Sequence, residues 1–327
     1  MADLPAIPSP GPGGAVAGIT RVETILDQER EAAPLTVDEL ASAPELGFWK
    51  LAAIRFLHHR VATASLLVLV LIGLAALVVP ILQGDLYRVQ DYTHPYGPPF
   101  QSFQHILGTD DLGRDVLARL IRGARVSLEV GLLAMVGYLI VGGSLGAIAG
   151  YYGGFLDNLL MRFTDLIIAM PFILVVVAVT AAFGGVSLNK LVLVIALTGW
   201  YEIGRLMRAQ FLVLRESEFV QAARALGASD WRIITRHILP NSLAPIIVSA
   251  TLGVSGIILL EAALGFLGYS IPPPEPSWGN MLNEFQDYLL RNQVYLVAFP
   301  SIALVITALC INLVGDGIRD ALDPRQR

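Results

Sequence analysis

Long apolar runs alternate with short polar intervals along most of the chain. Residues 61–82 contain no charged side chain, and a helix of 22 residues is about 33 Å long, which is enough to cross a bilayer. Five more apolar runs of similar character follow, the one over 191–208 being the weakest. The pattern predicts an all-α integral membrane protein with six transmembrane helices. The predicted spans are about 61–82, 126–149, 163–183, 191–208, 242–268 and 294–314.

The segments before the first span differ from the rest of the chain. Residues 1–47 are rich in proline and glycine, cannot bury enough apolar surface to fold alone, and predict a flexible tail. Residues 48–60 mix aromatic and aliphatic side chains with basic ones, which is typical of an interfacial, juxtamembrane helix. The remainder, 61–327, is predicted to be the transmembrane domain. The basic start and apolar core of a signal peptide are missing from the first thirty residues.

Composition and charge support a membrane protein and give it an orientation. The chain is 55% hydrophobic and 15% charged, with a mean hydropathy of +0.64, outside the range of ordinary soluble domains. With six spans, both termini and the loop over 205–240 lie on one side, and counted from Lys50 this side holds 13 lysines and arginines against 7 on the other. The positive-inside rule therefore places that side in the cytoplasm. The net charge of −5 and the lack of a basic patch predict no nucleic-acid partner.

The polar interval over 215–240 is the longest in the last two thirds of the chain. Phe219, Ala222, Ala223 and Leu226 follow the spacing i, i+3, i+4 and i+7, which predicts a short helix with these residues on one face. Gly227 stands where a helix commonly ends in a left-handed residue.

A second short helix is predicted directly after that glycine. Ser229 is a suitable N-cap, Trp231 starts an apolar stripe, and Pro240 is expected to limit the length of the helix. On periodicity alone the pair is an amphipathic hairpin on the membrane surface.

The spacing within this interval resembles a known motif. The spacing is similar to that of the EAA loop of bacterial ABC-importer permeases, the loop that binds the ATPase subunit. In this chain it consists of Ala222-Ala223, three residues, Gly227, eleven residues and Leu239-Pro240. Gln221 and His237 depart from the pattern, since the motif usually has Glu and Ile there. The resemblance implies that the ATPase-coupling loop comprises Phe219, Gln221, Ala222, Ala223, Leu226, Gly227, Trp231, His237, Leu239 and Pro240.

Further segments extend the resemblance from about residue 108 to residue 325. The sequences at 108–115, 150–154 and 312–325 are similar to the dipeptide, oligopeptide and nickel importer subfamily, and to its C-type permease subunit in particular. The resemblance implies a type I ABC-importer permease fold, in a bacterial or archaeal inner membrane, that forms half of a pore for dipeptides or short oligopeptides. Nickel chelates, glutathione and oligosaccharides remain alternative cargoes.

The same resemblance implies a set of partners and cofactors. The expected partners are a second homologous permease, two ATP-binding cassette subunits, an extracytoplasmic solute-binding protein and membrane lipid. ATP and Mg²⁺ are expected on the ATPase subunits, with no cofactor bound by this chain.

Several residues inside or beside the spans have alternative interpretations. Gly142, Gly146 and Gly150 recur every four residues and predict close helix packing. Asp165 is expected to pair with Arg162, three residues before it. Glu261 falls at the outer end of the fifth span, where it either faces a water-filled pore or vestibule or reaches the interface.

The patterns of two outer segments predict that they lie at the membrane surface. The amphipathic stretch over 112–124 is expected to lie along the outer surface, and Trp278 is expected to be an interfacial aromatic.

An enzyme requires groups that are missing from this sequence. Neither lysine, Lys50 or Lys190, stands in a Gly-Lys-Ser/Thr phosphate loop, so the chain is predicted to have no ATPase motif of its own. The sequence over 253–256 resembles the nucleophile motif of intramembrane serine proteases, but no histidine follows His237 to act as base. A metal-ligand pattern is also missing. The competing class is a self-contained secondary transporter or channel, which would leave the polar loop unexplained.

Overall fold

The computed structural model describes residues 47–101, 103–182 and 187–323, and every element given below belongs to that part of the chain. The described residues from Trp49 onward belong to one compact unit. The predicted flexible tail lies outside the described residues except for Gly47. The α-helices are α1 Phe48–His58, α2 Arg60–Gln83, α3 Val116–Tyr152, α4 Gly154–Ala169, α5 Phe172–Ala182, α6 Leu188–Gly199, α7 Tyr201–Leu214, α8 Glu218–Ala225, α9 Asp230–Arg232, α10 Leu239–Phe266, α11 Phe285–Leu290 and α12 Val294–Leu322.

Four helical segments in the described part of the chain are long and apolar enough to cross a membrane. A fifth is counted if the bent pair α4 and α5 forms one span. The helix α6 is apolar but has only 12 residues, too few to span alone. The all-α fold is confirmed, while length and hydropathy account for five of the six predicted spans. The four straight candidates are Arg60–Leu82, Val116–Tyr152, Asp230–Phe266 and Val294–Leu322.

The segment predicted as a span over 163–183 is bent in the structure. The two helices Gly154–Ala169 and Phe172–Val179 meet at an angle of 86°. Pro171 lies at the break, and a proline disfavours the helical conformation of the residue before it. Met170 accordingly is extended, with φ −82° and ψ 134°.

The weak span over 191–208 is also divided in two. Helices α6 and α7 meet at Trp200, and α7 begins with a turn that contains Glu202. Both helices run parallel to α3. An added Cβ on Gly137 would meet Ala196 in α6, and one on Gly142 or Gly150 would meet Trp200 or Arg208 respectively, farther along both segments. The start of α6 therefore lies at the end of the bundle opposite the 215–240 loop. From there α6 and α7 together run through the bundle to that loop.

The three predicted packing glycines lie on the face of α3 that touches α7. A Cβ on Gly150 would stand 2.6 Å from both the carbonyl oxygen of Arg208 and the Cβ of Phe211, and one on Gly142 or Gly146 would meet the α7 backbone at Gly204. Glycine lets the two helix backbones approach closely.

The expectation that residues 112–124 lie along the outer surface is wrong. Asp115 caps the N-terminus of α3 by accepting a hydrogen bond from the Ala118 amide at 2.7 Å, and α3 continues without a break through the predicted span. A helix of 37 residues is about 55 Å long, so its first turns extend beyond the hydrocarbon core. The apolar side of these turns packs on the outer segments instead of on lipid, as Val116 does with Met281, Tyr288 and Leu296.

The outer loop after α10 is held against the same turns of α3. Trp278 is 2% exposed and its indole N–H donates to the Leu120 carbonyl at 3.0 Å, so the prediction of an interfacial aromatic is wrong. Glu275 accepts hydrogen bonds from Tyr87, Arg88 and Arg122. Burial raises the pKa of Glu275, but these three hydrogen bonds outweigh the burial and hold the pKa below its usual value.

Candidate functional site

The polar interval that follows α7 folds into one short helix and a tight turn. Helix α8 ends at Ala225, and Gly227 has φ +80°, the left-handed conformation predicted for it. The Ala228 amide donates to the Ala223 carbonyl at 3.1 Å and the Gly227 amide to that of Arg224 at 3.0 Å, which is the hydrogen-bond pattern of a glycine-terminated helix. The glycine therefore turns the chain sharply between α8 and the next helix.

One side of α8 packs against the end of the helical bundle. Val220 is 1% exposed and belongs to a buried cluster with Phe211, Ile233 and Ile238, and Ala223 packs partly against the same cluster. The predicted apolar face is therefore rotated: Ala223, expected to face outward with its neighbours, contributes to the interior. The sequence pattern missed Val220, which shares the buried side with Ala223 at the spacing i, i+3.

The opposite side of the loop exposes apolar side chains. Leu226 is 88% exposed, Trp231 is 75% exposed and Phe219 is 43% exposed. Ala222 is also exposed, between Phe219 and Leu226 along the helix. Gln221, at the position where the motif usually has Glu, donates from its side-chain nitrogen to the Glu216 carbonyl at 3.0 Å, which a glutamate could not do. We call Phe219, Ala222, Leu226 and Trp231 the exposed loop face.

Two hydrogen-bonded contacts fasten the loop to the end of α3. The Tyr151 hydroxyl donates to Asp230 at 2.6 Å. The Arg215 guanidinium donates to the carbonyl oxygens of Gly150 and Tyr151 at 3.0 and 3.3 Å. Both ends of the loop are therefore tied to the same turn of α3, and this turn belongs to the Gly150–Gly154 sequence that resembles the permease subfamily.

Two arginines of α7 are paired with acids on α4. Arg208 forms a two-pronged ion pair with Asp157, at 2.5 and 2.7 Å. Arg205 pairs with Asp165 at 2.7 Å. The predicted pairing of Asp165 with Arg162 is therefore wrong, because α4 lies beside α7 and brings Arg205 within reach.

The second predicted helix of the loop continues into the membrane helix. A π-helical segment, Ile233–Ile238, joins α9 to α10, and the helical path runs unbroken from Asp230 to Phe266. Pro240 does not end the helix as predicted. It stands in the first turn of α10, directly after the π-helical residues, where a missing amide is tolerated. Leu239 and His237 are only partly exposed, and the His237 carbonyl accepts from Asn241 at 2.6 Å.

Glu261 lies in neither of the two environments considered from the sequence. Its side chain is fully buried, and its carboxylate accepts hydrogen bonds from Ser127 at 3.0 Å and Ser270 at 2.7 Å. The carboxylate thus joins α3, α10 and the outer loop within this chain, and it faces no open vestibule in the described structure.

Comparison with known proteins identifies what the chain is similar to. The family model for the binding-protein-dependent transport system inner membrane component matches residues 142–327, and that for the N-terminal TM domain of oligopeptide transport permease C matches residues 47–99.

Similar relatives cover most of the chain. The chain is 42% identical to the dipeptide transport system permease protein DppC of Alkalihalophilus pseudofirmus, over 85% of this chain and 90% of the relative. It is 37% identical to the oligopeptide transport system permease protein OppC of Bacillus subtilis, over 88% and 93%. It is 39% identical to the glutathione transport system permease protein GsiD of Pectobacterium atrosepticum, over 89% and 95%.

A solved structure shares the fold. A chain from a structure described as inward facing conformations of the MetNI methionine ABC transporter superposes with a TM-score of 0.51 and 18% identity, over 63% of this chain and 97% of that one.

Proposed function

Since the chain belongs to the family of binding-protein-dependent transport system inner membrane components, we propose that it is the peptide-importing permease subunit of an ATP-driven transporter. Relatives at 37–42% identity are dipeptide, oligopeptide and glutathione transport permeases. Short peptides are the class of substrate that these three names share, because glutathione is itself a tripeptide derivative. The proposed cargo is therefore dipeptides or short oligopeptides.

The observation that carries the proposal is the two-sided character of the loop. Its inner side is buried against the bundle and tied to α3 by hydrogen bonds, while its outer side presents Leu226 and Trp231 to solvent. Because the loop backbone is already anchored, covering its exposed apolar groups with a partner requires ordering of the side chains only. The proposed partner is the ATPase subunit, in agreement with the EAA-like spacing of the loop.

The proposed assembly follows from the family. This chain pairs with a second homologous permease, two ATPase subunits bind the loops of the pair, and a solute-binding protein delivers cargo on the other side. ATP and Mg²⁺ bind on the ATPase subunits and not on this chain. The chain crosses the inner membrane six times, counting α4 with α5 and α6 with α7, and both termini lie in the cytoplasm.

Coupling in this proposal uses the continuous helix. Asp230 lies at the loop and Phe266 at the far end of the same helical path, so a displacement of the loop by the ATPase moves the wall of the pore directly. Hydrolysis would thereby switch the pore between outward and inward access.

Two exposed leucines give a matched test. Leu226 is 88% exposed on the loop, and Leu290 is 86% exposed at the end of α11, on the opposite side of the membrane in the proposed topology. Leu226→Glu is expected to abolish copurification of the ATPase and peptide uptake by the reconstituted transporter, because a charge would be buried in the contact. Leu290→Glu is expected to retain the ATPase. Loss of the ATPase from both variants, or from neither, would contradict the docking proposal.

The cargo is tested separately with the unmodified complex. Labelled dipeptides and tripeptides should be taken up by proteoliposomes that contain the four subunits and the binding protein. Uptake of a sugar or metal chelate in their place would overturn the peptide assignment and leave the permease assignment standing, while uptake by this chain alone would indicate a self-contained carrier.

A further inference from the structure

Glu202 is a carboxylate at the middle of a helix pair that passes through the bundle. It lies fourteen residues after Leu188 and twelve before Leu214, or about 20 Å of helix from either end. The side chain is exposed in this chain. An ionisable group at such a depth is costly because the hydrocarbon core does not solvate it. Ionisable groups that are found there therefore usually have a function.

Two cavities meet at this residue. The smaller one, of about 240 Å³, is lined by α3, α5, α6, α7 and α10, and includes Tyr138. The larger one, of about 770 Å³, opens along α10 toward the end of α12. The residues that line both are Glu202, Ser249, Gly253 and Gly256.

Residues of α10 make this wall open and polar. A Cβ added to Gly256 would meet nothing within 4 Å, so this position faces free space. Ser249 adds a hydroxyl group to the wall beside Glu202. The wall shared by the two cavities therefore combines three small residues with one carboxylate, while larger side chains such as Tyr138 and Leu206 line the rest.

The carboxylate of Glu202 has no cation of its own within the described ranges. The two arginines that follow it on α7 are already engaged, Arg205 with Asp165 at 2.7 Å and Arg208 with Asp157 at 2.5 Å. At the far end of the larger cavity stand one base, Arg319, and one acid, Asp323, whose charges offset each other. The passage thus has a net negative charge at Glu202.

From this geometry we propose that Glu202 binds the N-terminal ammonium group of the peptide during its passage through the permease. The inference rests on the proposed function. Linear peptides share a free ammonium group whatever their side chains, so a single carboxylate beside small residues can recognise them without selecting a sequence. The ammonium donates a charge-assisted hydrogen bond to the carboxylate, and the small neighbours leave room for different side chains.

The charge is tested by uptake in proteoliposomes that contain the complete transporter. Glu202→Gln is expected to slow the uptake of dipeptides about tenfold, the loss typical of a charge-assisted hydrogen bond, with unchanged ATPase copurification. Glu129→Gln is the matched control, because Glu129 is a half-exposed glutamate on α3 whose nearest cation is Arg125 at 3.9 Å. This control should transport as the wild type does. Wild-type rates for Glu202→Gln would overturn the proposal.

A cysteine at position 202 allows the effect of the charge at this position to be distinguished from the effect of side-chain size. Cys310, the only native cysteine, is buried, so Glu202→Cys provides one accessible thiol. A thiol reagent that attaches a sulfonate should restore uptake, and one that attaches a trimethylammonium group should not. Equal effects of the two reagents, or no reaction with either, would overturn the proposal.

The passage itself is tested with a pair of glycines. Gly256→Leu is expected to block uptake by filling the open wall, whereas Gly73→Leu adds the same side chain to open space on α2, outside both cavities, and should not. ATPase copurification must persist in both. If the wild-type complex assembled but carried no peptide, the proposed function would be wrong. If the wild-type complex carried peptides and the Glu202→Gln and Gly256→Leu variants carried them equally well, the proposed function would stand and only the role of Glu202 and the passage would be wrong.

Discussion

Replacing Gly150 by alanine should loosen the contact between α3 and α7 and with it the seat of the loop. The added Cβ would stand 2.6 Å from the Cβ of Phe211 and 2.6 Å from the carbonyl oxygen of Arg208. Carbon atoms normally approach to about 3.5 Å, so the two helices must separate by about 1 Å. Neither atom can rotate away, because one is a backbone oxygen and the other is fixed to the backbone.

The magnitude follows from two opposing effects. Overpacking in a close contact costs about 1–3 kcal/mol. Alanine in a helix interior is favoured over glycine by about 0.5–1 kcal/mol. Gly143→Ala is the matched control, since its Cβ would lie 3.6 Å from the end of the Met207 side chain, an ordinary contact. The control should be neutral or slightly stabilised, and Gly150→Ala should be destabilised relative to it by about 1–3 kcal/mol.

The assay is thermal unfolding of the purified transporter in detergent, with peptide uptake measured in parallel. Gly150→Ala should unfold at a lower temperature than Gly143→Ala and should transport more slowly, because Arg215 binds the Gly150 carbonyl and fixes the loop. Equal unfolding temperatures for the two variants would refute the argument that the glycine spacing serves this helix contact.

Three further outcomes are expected. Arg208→Ala should destabilise the bundle by about 1–3 kcal/mol in the same unfolding assay, because it leaves the buried Asp157 carboxylate without its partner. Gly227→Val should cost at least about 1–2 kcal/mol, because a β-branched residue must adopt φ +80°, and increased protease cleavage within the loop should report it. The contribution of Glu275 to stability should be present above its unfolded pKa near 4.5 and lost as the pH falls through its lower folded pKa, and Glu275→Gln should remove that acid-side slope in a pH series.

The sequence predicted the features that depend on local pattern. The first span, the left-handed Gly227 and the position of the loop all follow from apolar length, glycine placement and polarity, and each appears in the structure at the expected residues. The bend at Pro171 could also be predicted from the sequence, since a proline restricts the backbone conformation of the residue before it. A hydropathy average over the whole segment does not detect such a break.

What the sequence could not supply is the set of contacts between distant segments. Helical spacing pairs Asp165 with a neighbour three residues away, whereas the packing of α4 on α7 selects Arg205. The enrichment of aromatic residues at membrane interfaces predicts an interfacial Trp278, although its indole is buried on α3. Glu202 was overlooked, because its significance comes from two cavities formed by helices far apart in the chain.

The path of α10 explains why the loop and the passage can act as one device. The π-helical segment Ile233–Ile238 leads directly into α10, and Pro240 stands in the first turn of α10, so the helix does not break where the loop meets the membrane. The same helix then carries Ser249 and Gly256 along the passage and ends next to the buried Glu261, whose hydrogen bonds hold its outer end to α3. A displacement of the loop is therefore transmitted along one continuous helix, whose middle lines the passage at Ser249 and Gly256. The same stretch packs in the core through Val254 and Ile258, and Ser255 donates a hydrogen bond to Asn312 of α12 at 2.8 Å. Because α10 is held along its middle as well as at its far end, we expect it to move as one piece, together with the helices that it contacts, when the ATPase moves the loop.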